Sequence, residues 1–394
     1  MRVLHLLKTS QGAMWAVRQM RELVRLGVEV HVVMPGNGPQ IDRCRGLGIH
    51  VHPQQFDFPV RQPWRLPAVL RGIRRLVRET QPDLIHSHFV GTTLAMRMAL
   101  GSQSAIPRIF QVPGPLHLER GPFGTLEVAL AGPPDHWIAS CAWTRAQYLA
   151  RGLPRDCVSS SCYGTDIQDF AAEPGKLRRE LGVSPDTRLV GMVAYMYPPK
   201  YYLGQFRGLK GHEDFLNAMA LVQQHADCLA VVTGAQWGRG AAYERRLRRK
   251  ADRLLGDRAL FLGLRPDIPS IYADLDVAVH PSLSENLGGA AESMLAGVPT
   301  VATRVGGLPD LVRDPDTGWL VPPRSPQRLA NAILQALRDP DEANRRALRG
   351  QALATKTLDV RRTAAEVFDL YHRVLKGNRG GCEKECDWIS RRAA

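Results

Sequence analysis

The stretch from Pro281 to Pro299 is where residue types and spacing could do chemistry. It holds Glu285, a Gly288-Gly289 pair and Glu292, set between an apolar run ending at His280 and a helical run that stops at Gly297. A strand that ends in a glycine-bearing loop and turns into a helix aims loop amides and a helix N-terminus at one point. That is an anion site suited to a diphosphate. Glu285, at the strand end, can reach sugar hydroxyls. Glu292, a turn into the helix, can accept hydrogen bonds from a ribose diol. Downstream, Thr300 to Asp310 repeats the strand, glycine turn and helix start. Either segment alone also reads as an ordinary βα turn.

The elements that must position these residues recur along the chain. Val3 to Leu7 reads as a strand, Trp15, Val17, Met20, Leu23 and Val24 recur at helical spacing, and Val28 to Val33 reads as the next strand. Strand, helix and strand within about thirty residues make a βαβ unit and a parallel sheet. An amphipathic basic helix around Pro67 to Arg78 and strands at Asp83–His88, Arg108–Val112 and His136–Ser140 continue the pattern. It restarts near residue 188, with strands at Leu189–Ala194, Ala230–Gly234, Ala259–Gly263, Asp276–His280 and Thr300–Ala302, separated by helical runs. Two successive halves of this kind predict two Rossmann-like domains, with a polar linker around Ala171 to Thr187. Ligands in such sheets bind beyond the carboxyl ends of the strands, so the cleft between the domains is the expected active site.

Composition narrows the class. The 394 residues are 44% hydrophobic and 23% charged, a globular balance long enough for two domains. No apolar stretch approaches a membrane span, and the opening segment has too short an apolar core for a secretory signal, so a soluble cytoplasmic protein is expected. The net charge of +14 favours anionic partners, although 44 of the 52 cations are arginine and that usage can reflect coding bias alone. Seven scattered cysteines imply no disulfide framework, and Cys382 with Cys386 cannot complete a four-ligand zinc site. Neither half carries Gly-x-Gly-x-x-Gly after its first strand, which argues against a dinucleotide oxidoreductase. A Gly-x-x-x-x-Gly-Lys phosphate loop and a Gly-x-Ser-x-Gly nucleophile elbow are also missing from the sequence.

Several segments in order carry a resemblance to a known family. They are Glu285 with Glu292-Ser293-Met294…Gly297-Val298-Pro299, Val305-Gly306-Gly307-Leu308-Pro309-Asp310, and Thr317-Gly318-Trp319-Leu320-Val321-Pro322-Pro323. Leu209-Lys210-Gly211-His212, Tyr163-Gly164-Thr165-Asp166…Phe170 and Asp83-Leu84-Ile85-His86-Ser87-His88 extend it back through most of residues 1 to 340. Together they resemble the retaining family 4 glycosyltransferases, glycosyl transferases group 1, of the GT-B fold. That resemblance implies an α/β protein with two Rossmann-like domains whose parallel sheets face one another across a cleft. The expected division is an acceptor domain over residues 1–172, a nucleotide-sugar donor domain over 185–360, a helix over 361–376 crossing back to the first domain, and a flexible tail over 377–394.

By the same resemblance, Lys210 binds the donor diphosphate, Glu292 the ribose, and Glu285 with the amides of Asn286, Leu287, Gly288 and Gly289 the donor sugar and phosphates. The loop containing Arg265 would face the base, and the Gly12 loop would border sugar and acceptor. Three departures from the family pattern stand out. Glu285 and Glu292 are one residue closer than usual, so either Glu285 keeps the first glutamate's role across a loop deletion or Ser284 stands in its frame. Val193-Ala194-Tyr195 replaces the usual Gly-Arg, which leaves Arg207 or Lys200 to supply a second phosphate cation. Pro113 falls near the family's histidine after the third strand, leaving His117 as the nearest candidate catalytic residue or as a plain loop histidine.

The implied reaction is transfer of a hexose from a nucleotide sugar, UDP-linked by expectation, to a hydroxyl of a glycan, a lipid-linked glycan or a small molecule. No metal and no cofactor is expected, because the leaving phosphate accepts the acceptor's proton and no protein nucleophile is required. Asp314-Pro-Asp316 and Asp339-Pro-Asp341 mimic a metal motif but sit in capping contexts. The arginines of the Pro67–Arg78 helix would either contact an anionic membrane, at its inner face, or remain solvated. No nucleic-acid module is present, so no nucleic-acid partner is expected. The rival readings are an epimerase or phosphorylase on the same fold and an inactive nucleotide-sugar-binding scaffold.

Overall fold

The computed structural model describes residues 1–119, 122–199, 201, 204–238 and 240–379. The chain forms two compact units, Met1–Asp166 together with the chain from Leu358 onward, and Ile167–Thr357.

The first unit holds a seven-stranded parallel sheet in the order β3-β2-β1-β4-β5-β6-β7. Its strands are β1 (Arg2–Leu6), β2 (Glu29–Met34), β3 (His50–Pro53), β4 (Leu84–Ser87), β5 (Arg108–Gln111), β6 (Asp135–Ala139) and β7 (Val158–Ser160). Val3, Val30, Val32 and Ile109 pack one face against Val17, Met20 and Leu23 of the helix Met14–Arg25. Val367, Leu370, Tyr371 and Val374 of the last helix, Val360–Arg379, close that same core. The other face is closed by Ile73, Leu76 and Val77 of the basic helix, which spans Leu66–Thr80. Where the chain leaves this unit and where it returns lie side by side. Thr165 N–H donates to Leu358 O at 2.8 Å and Val360 N–H to Thr165 O at 3.2 Å. A Cβ on Gly164 would sit 2.4 Å from Val360 Cα, so only glycine allows that approach.

The second unit holds a six-stranded parallel sheet in the order β10-β9-β8-β11-β12-β13. Its strands are β8 (Arg188–Val193), β9 (Cys228–Thr233), β10 (Ala259–Gly263), β11 (Val277–His280), β12 (Thr300–Thr303) and β13 (Trp319–Val321). Val190, Ala230, Val232, Val277 and Val279 pack against Phe215, Leu216 and Met219 of the helix His212–Val222 and Ile333 of the helix Pro326–Arg338. Strand order reverses between β8 and β11, and that reversal opens a crevice at the carboxyl edge of an α/β sheet.

The segment expected as a linker around Ala171 to Thr187 is folded into the second unit instead. Asp274 accepts hydrogen bonds from the amides of Leu177 at 2.6 Å and Arg178 at 3.1 Å, and so anchors the short helix Lys176–Leu181. Leu177 packs with Ile271 and Tyr272. The unit boundary therefore lies at Asp166 and Ile167, ahead of that helix rather than after it. The last helix runs on through Gly377, where the tail was expected to begin. The remainder of that tail, with Cys382 and Cys386, and Lys200 lie outside the described residues.

Candidate functional site

A cavity of about 330 Å³ opens at the crevice of the second sheet. Met192 and Val193 of β8, Thr233 and Gly234 at the end of β9 and His280 of β11 form its floor. Lys210, Glu285, Gly288, Gly289 and Glu292 bring its polar groups, and Leu264, Arg265 and Ile268 form one end.

Local backbone chemistry fixes the polar groups. Leu283 N–H donates to Leu209 O at 2.8 Å, which ties the loop carrying Glu285 to the loop carrying Lys210. Gly211, at φ +74°, starts the helix His212–Val222, and a Cβ there would meet Pro281 O at 1.9 Å. Lys210 donates from Nζ to Glu285 Oε2, which also accepts from Ser282 Oγ at 3.3 Å. Burial opposes the ammonium charge, but the Glu285 carboxylate outweighs it and holds the Lys210 pKa above its ordinary value. The helix Gly288–Leu295 begins with Gly288 at φ +47°, where a Cβ would collide with the Glu285 carboxyl group at 2.4 Å. Glu292 therefore lies one turn along, on the same helix face as the loop amides, as its i+4 spacing from Gly288 requires. Below them His280 Nε2 pairs with Ser293 Oγ at 2.9 Å, and burial pushes its pKa down to about 3, so it stays a neutral support.

The structure thus brings Lys210, Arg265, Glu285, Gly288, Gly289 and Glu292 around one cavity. Glu285 rather than Ser284 faces the lysine, while Ser284 is buried and not among the lining residues. Arg265 lies in a fork of carboxylates, donating from Nη1 and Nη2 to Glu180 at 2.5 and 2.7 Å and from Nε to Asp267 at 2.9 Å. Its charge is spoken for, and it frames the end of the cavity. Asn286 and Leu287 are not among the lining residues, and Asn286 Oδ1 is buried and without a partner among the described residues.

Three predicted residues are not among those lining the cavity. Arg207 pairs through Nη1 with the buried Asp214 and is not among the residues lining the cavity. Its carboxylate partner, in the first turn of the helix His212–Val222, holds it there. His117 belongs to the first unit, where Nε2 meets Tyr148 OH at 3.2 Å and burial pushes its pKa down to about 4. Gly12, at φ +70°, lies in the exposed loop before the helix Met14–Arg25 of the same unit.

Sequence reasoning missed the aromatic wall of the cavity. Met196 N–H donates to Ala235 O at 2.9 Å and Trp237 N–H to Met196 O at 3.1 Å, so β8 and β9 stay zipped beyond the sheet. This extension raises Tyr195, Tyr197 and Trp237 together, with Tyr195 and Trp237 5.0 Å apart edge to face and Tyr197 and Trp237 5.8 Å apart. The only signal was the tyrosine standing where the resembled family has arginine. Trp237 comes from the separate loop after β9, which no local pattern shows.

Two histidine-rich groups among the described residues could approach a metal, His5 with His86 and His88, and Glu29 with His31 and His50. In the first, His86 and His88 stack at 4.2 Å, and the in-plane lone pairs of stacked rings do not converge on one ion. His86 Nδ1 lies 2.6 Å from Tyr371 OH, His88 Nδ1 2.8 Å from Tyr163 OH and His88 Nε2 2.9 Å from His5 Nδ1, so four of the six ring nitrogens take part in a buried polar network. In the second, Glu29 is already paired with Arg2 at 2.7 Å. Asp314 and Asp316 pair with Arg346 and Arg349 at 3.0 Å each, and Asp339 Oδ1 caps a helix by accepting from Glu342 N–H at 3.0 Å.

Comparison with known proteins follows this geometry. Residues 13–168 match the family model Glycosyltransferase Family 4, and residues 199–352 match Glycosyl transferases group 1. The chain is 34% identical to a D-inositol 3-phosphate glycosyltransferase of Corynebacterium urealyticum over 192 residues, 45% of this chain and 42% of that protein. It is 30% identical to the enzyme of the same name from Corynebacterium glutamicum, over 56% of this chain and 52% of that protein. The chain thus spans about half the length of these two relatives. A 2-deoxystreptamine N-acetyl-D-glucosaminyltransferase of Streptomyces fradiae matches more fully, at 29% identity over 82% of this chain and 81% of that protein. Among solved structures, Anabaena HepE in complex with UDP superposes with a TM-score of 0.79 at 23% identity, covering 95% of this chain and all of that one.

Proposed function

The chain belongs to the family 4 glycosyltransferases of the GT-B fold, and from that premise we propose that it moves a hexose from a nucleotide sugar to a hydroxyl acceptor with retention of configuration. One observation carries the donor half of this reading. Lys210, the start of the helix Gly288–Leu295 and Glu292 surround a single cavity at the strand-order reversal of the second sheet.

A nucleoside diphosphate fits the order of groups in that cavity. Its phosphates meet Lys210 and the helix N-terminus, its ribose diol meets Glu292, and its base lies toward Leu264, Arg265 and Ile268. As the bond from the anomeric carbon to the phosphate oxygen breaks, its electron pair goes to the diphosphate. Lys210 and the helix amides stabilise that developing charge. The acceptor oxygen bonds the anomeric carbon from the same face and gives its proton to the leaving phosphate, a course that needs neither a protein nucleophile nor a metal. The UDP and UDP-glucose complexes of HepE support a UDP-linked donor. The D-inositol 3-phosphate and 2-deoxystreptamine glycosyltransferases among the relatives support a sugar-like or cyclitol hydroxyl as acceptor. Peripheral contact with an anionic membrane is part of the proposal. The helix Leu66–Thr80 exposes Arg71 and Arg75, and Trp64 just ahead of it is 73% exposed. No helix among the described residues is long and apolar enough to cross a membrane.

A thermal-shift panel of UDP-, GDP-, ADP- and dTDP-sugars tests the reading, with Lys210→Ala and Glu292→Ala alongside. Ligand at 100 times Kd adds about 2.7 kcal/mol to the native state, enough to move the midpoint visibly. A shift with one nucleotide class, lost in both variants, supports a donor site there. No shift with any of them, from folded protein, moves the reading to an inactive scaffold.

A further inference from the structure

Two cations border the donor cavity, and both already face carboxylates. Arg265 is held by Glu180 and Asp267, and Lys210 by Glu285. Arg207 is drawn away by Asp214. A leaving diphosphate carries several negative charges, so Lys210 and the helix amides leave room for another donor on the facing wall.

Tyr197 occupies that wall. Lys210 Nζ lies 6.0 Å from the centre of its ring, and both residues line the cavity. The ring is held by its neighbours, Trp237 at 5.8 Å and Tyr195 at 6.5 Å, on the hydrogen-bonded extension of β8 and β9. Gly234 makes that extension possible, because a Cβ there would meet Ala194 O at 2.1 Å. Among the described residues the Tyr197 hydroxyl makes no hydrogen bond, whereas the buried tyrosines 148, 163, 243 and 371 each have a partner for theirs. Burial raises the phenol's pKa, with Lys210 opposing it, so the hydroxyl keeps its hydrogen. A half-buried, pre-positioned O–H with no protein partner, next to the cavity's lysine, is arranged for an acceptor that arrives with the ligand.

We propose that the Tyr197 hydroxyl donates a hydrogen bond to the diphosphate of the bound donor nucleotide, beside Lys210, and so binds the leaving group in place of a second cation. The inference rests on the donor-binding reading of this cavity. The tyrosine shares its hydrogen without giving it up, and its bond shortens as charge builds on the phosphate oxygen.

Calorimetric titration of the full chain with UDP, GDP, ADP and dTDP, and with the nucleoside of whichever diphosphate binds, tests it in wild type and in Tyr197→Phe. The substitution keeps the ring and its stacking and removes only the hydroxyl. The expected result is a loss of about 10- to 100-fold in affinity for the diphosphate, as for a hydrogen bond to a charged group, with nucleoside affinity unchanged. Equal diphosphate affinity in the two proteins overturns the proposal. So does a parallel loss for diphosphate and nucleoside, which marks a disturbed pocket rather than a phosphate contact. A wild type that binds none of the four diphosphates overturns the donor reading itself, a result separate from either outcome in the variant.

Discussion

Lys210 and Glu285, 75 residues apart in sequence, form an ion pair inside the candidate donor cavity, each on its own loop at the carboxyl edge of the second sheet. On the proposed donor reading, a diphosphate entering there would compete with Glu285 for the same ammonium group, which would make the pair an exchange point: Glu285 keeps the lysine charged and aimed until the ligand takes it over.

Removing the carboxylate charge separates those two effects. Glu285→Gln is expected to bind UDP several-fold more tightly than wild type, because the phosphate no longer competes with or faces a carboxylate. Turnover of the sugar donor should fall by about 10²-fold or more, in the range of a lost electrostatic contact. Calorimetry with UDP and initial rates with the sugar donor read the two effects separately, and weaker UDP binding would count against the exchange.

Lys210→Ala should cost about 10²–10³ in turnover, since it deletes a charge aimed at the leaving group. It also leaves Glu285 without its cation in a partly buried site, so UDP affinity falls as well. Rates and UDP titration on the same preparation check both. A variant with near-normal rates would remove Lys210 from the proposed chemistry.

Two glycines set the reach of these side chains. Gly211→Ala places a Cβ 1.9 Å from Pro281 O at φ +74°, and Gly288→Ala places one 2.4 Å from the Glu285 carboxyl group at φ +47°. Each is expected to lower the melting midpoint, with a cost of about 1 kcal/mol or more from the positive φ alone. Gly288→Ala should also abolish donor binding, since Glu285 must leave its place. Alanine at Gly182, also at positive φ but with nothing within 4 Å of a Cβ, is the control. It should lower stability without touching donor binding.

Acid should destabilise the protein from an early pH. Burial pushes His5, His212 and His280 down to about 3 in the folded chain, against about 6.5 when unfolded. These folded values are depressed, so the unfolded chain binds protons that the native state refuses. Stability is complete above about pH 6.5 and falls as the pH drops toward 3, by about 1.4 kcal/mol per pH unit for each such group. Calorimetric midpoints measured from pH 8 to 5 should be level at first and then fall steeply. A level curve down to pH 5 would show that these histidines are not held neutral.

A buried charge network predicts a large loss in the first unit. Arg97 Nη1 meets Glu127 at 2.5 Å and Arg97 Nε meets Asp135 Oδ1 at 2.9 Å. Arg108 pairs with the other oxygen of Asp135, and all four side chains are essentially inaccessible. Glu127→Ala takes from the buried Arg97 one of its two carboxylate partners and strands the Trp137 indole N–H, which donates to Glu127 at 2.9 Å. The expected cost is about 3–5 kcal/mol, read by urea denaturation.

Much of this architecture was legible because it is periodic. Val3, Val30 and Val32, and Val190, Ala230 and Val277, lie in apolar runs too short for helices and regularly spaced by amphipathic stretches, which is the signature of parallel strands. The glycine-bearing turn at Gly288-Gly289 was legible for the same reason, since a strand end and a helix start mark it from both sides. His50–Pro53 was missed as a strand because it holds one apolar β-former among two histidines and a proline, all partly or fully exposed at a sheet edge. The linker was misread because Asp274, almost a hundred residues on, supplies the anchors that hold Lys176–Leu181. Arg207 and the aromatic wall went astray likewise. A charge is assigned by its nearest opposite charge in space, and neither Asp214 beside Arg207 nor Trp237 beside Tyr197 follows from spacing in the chain.

The helix Val360–Arg379 completes a core begun by Val3 and Val17. During synthesis the ribosome releases every residue of the second unit before that helix emerges. The unit started last is thus the one finished first, and the unit begun at the N-terminus waits, one face of its sheet covered only in part by the helix Met14–Arg25, for nearly two hundred intervening residues to be translated. Protection of that apolar face is needed only for this interval. Chains halted anywhere between Ile167 and Thr357 should be captured by hydrophobic-surface-binding chaperones, and chains extended past Val374 should be released.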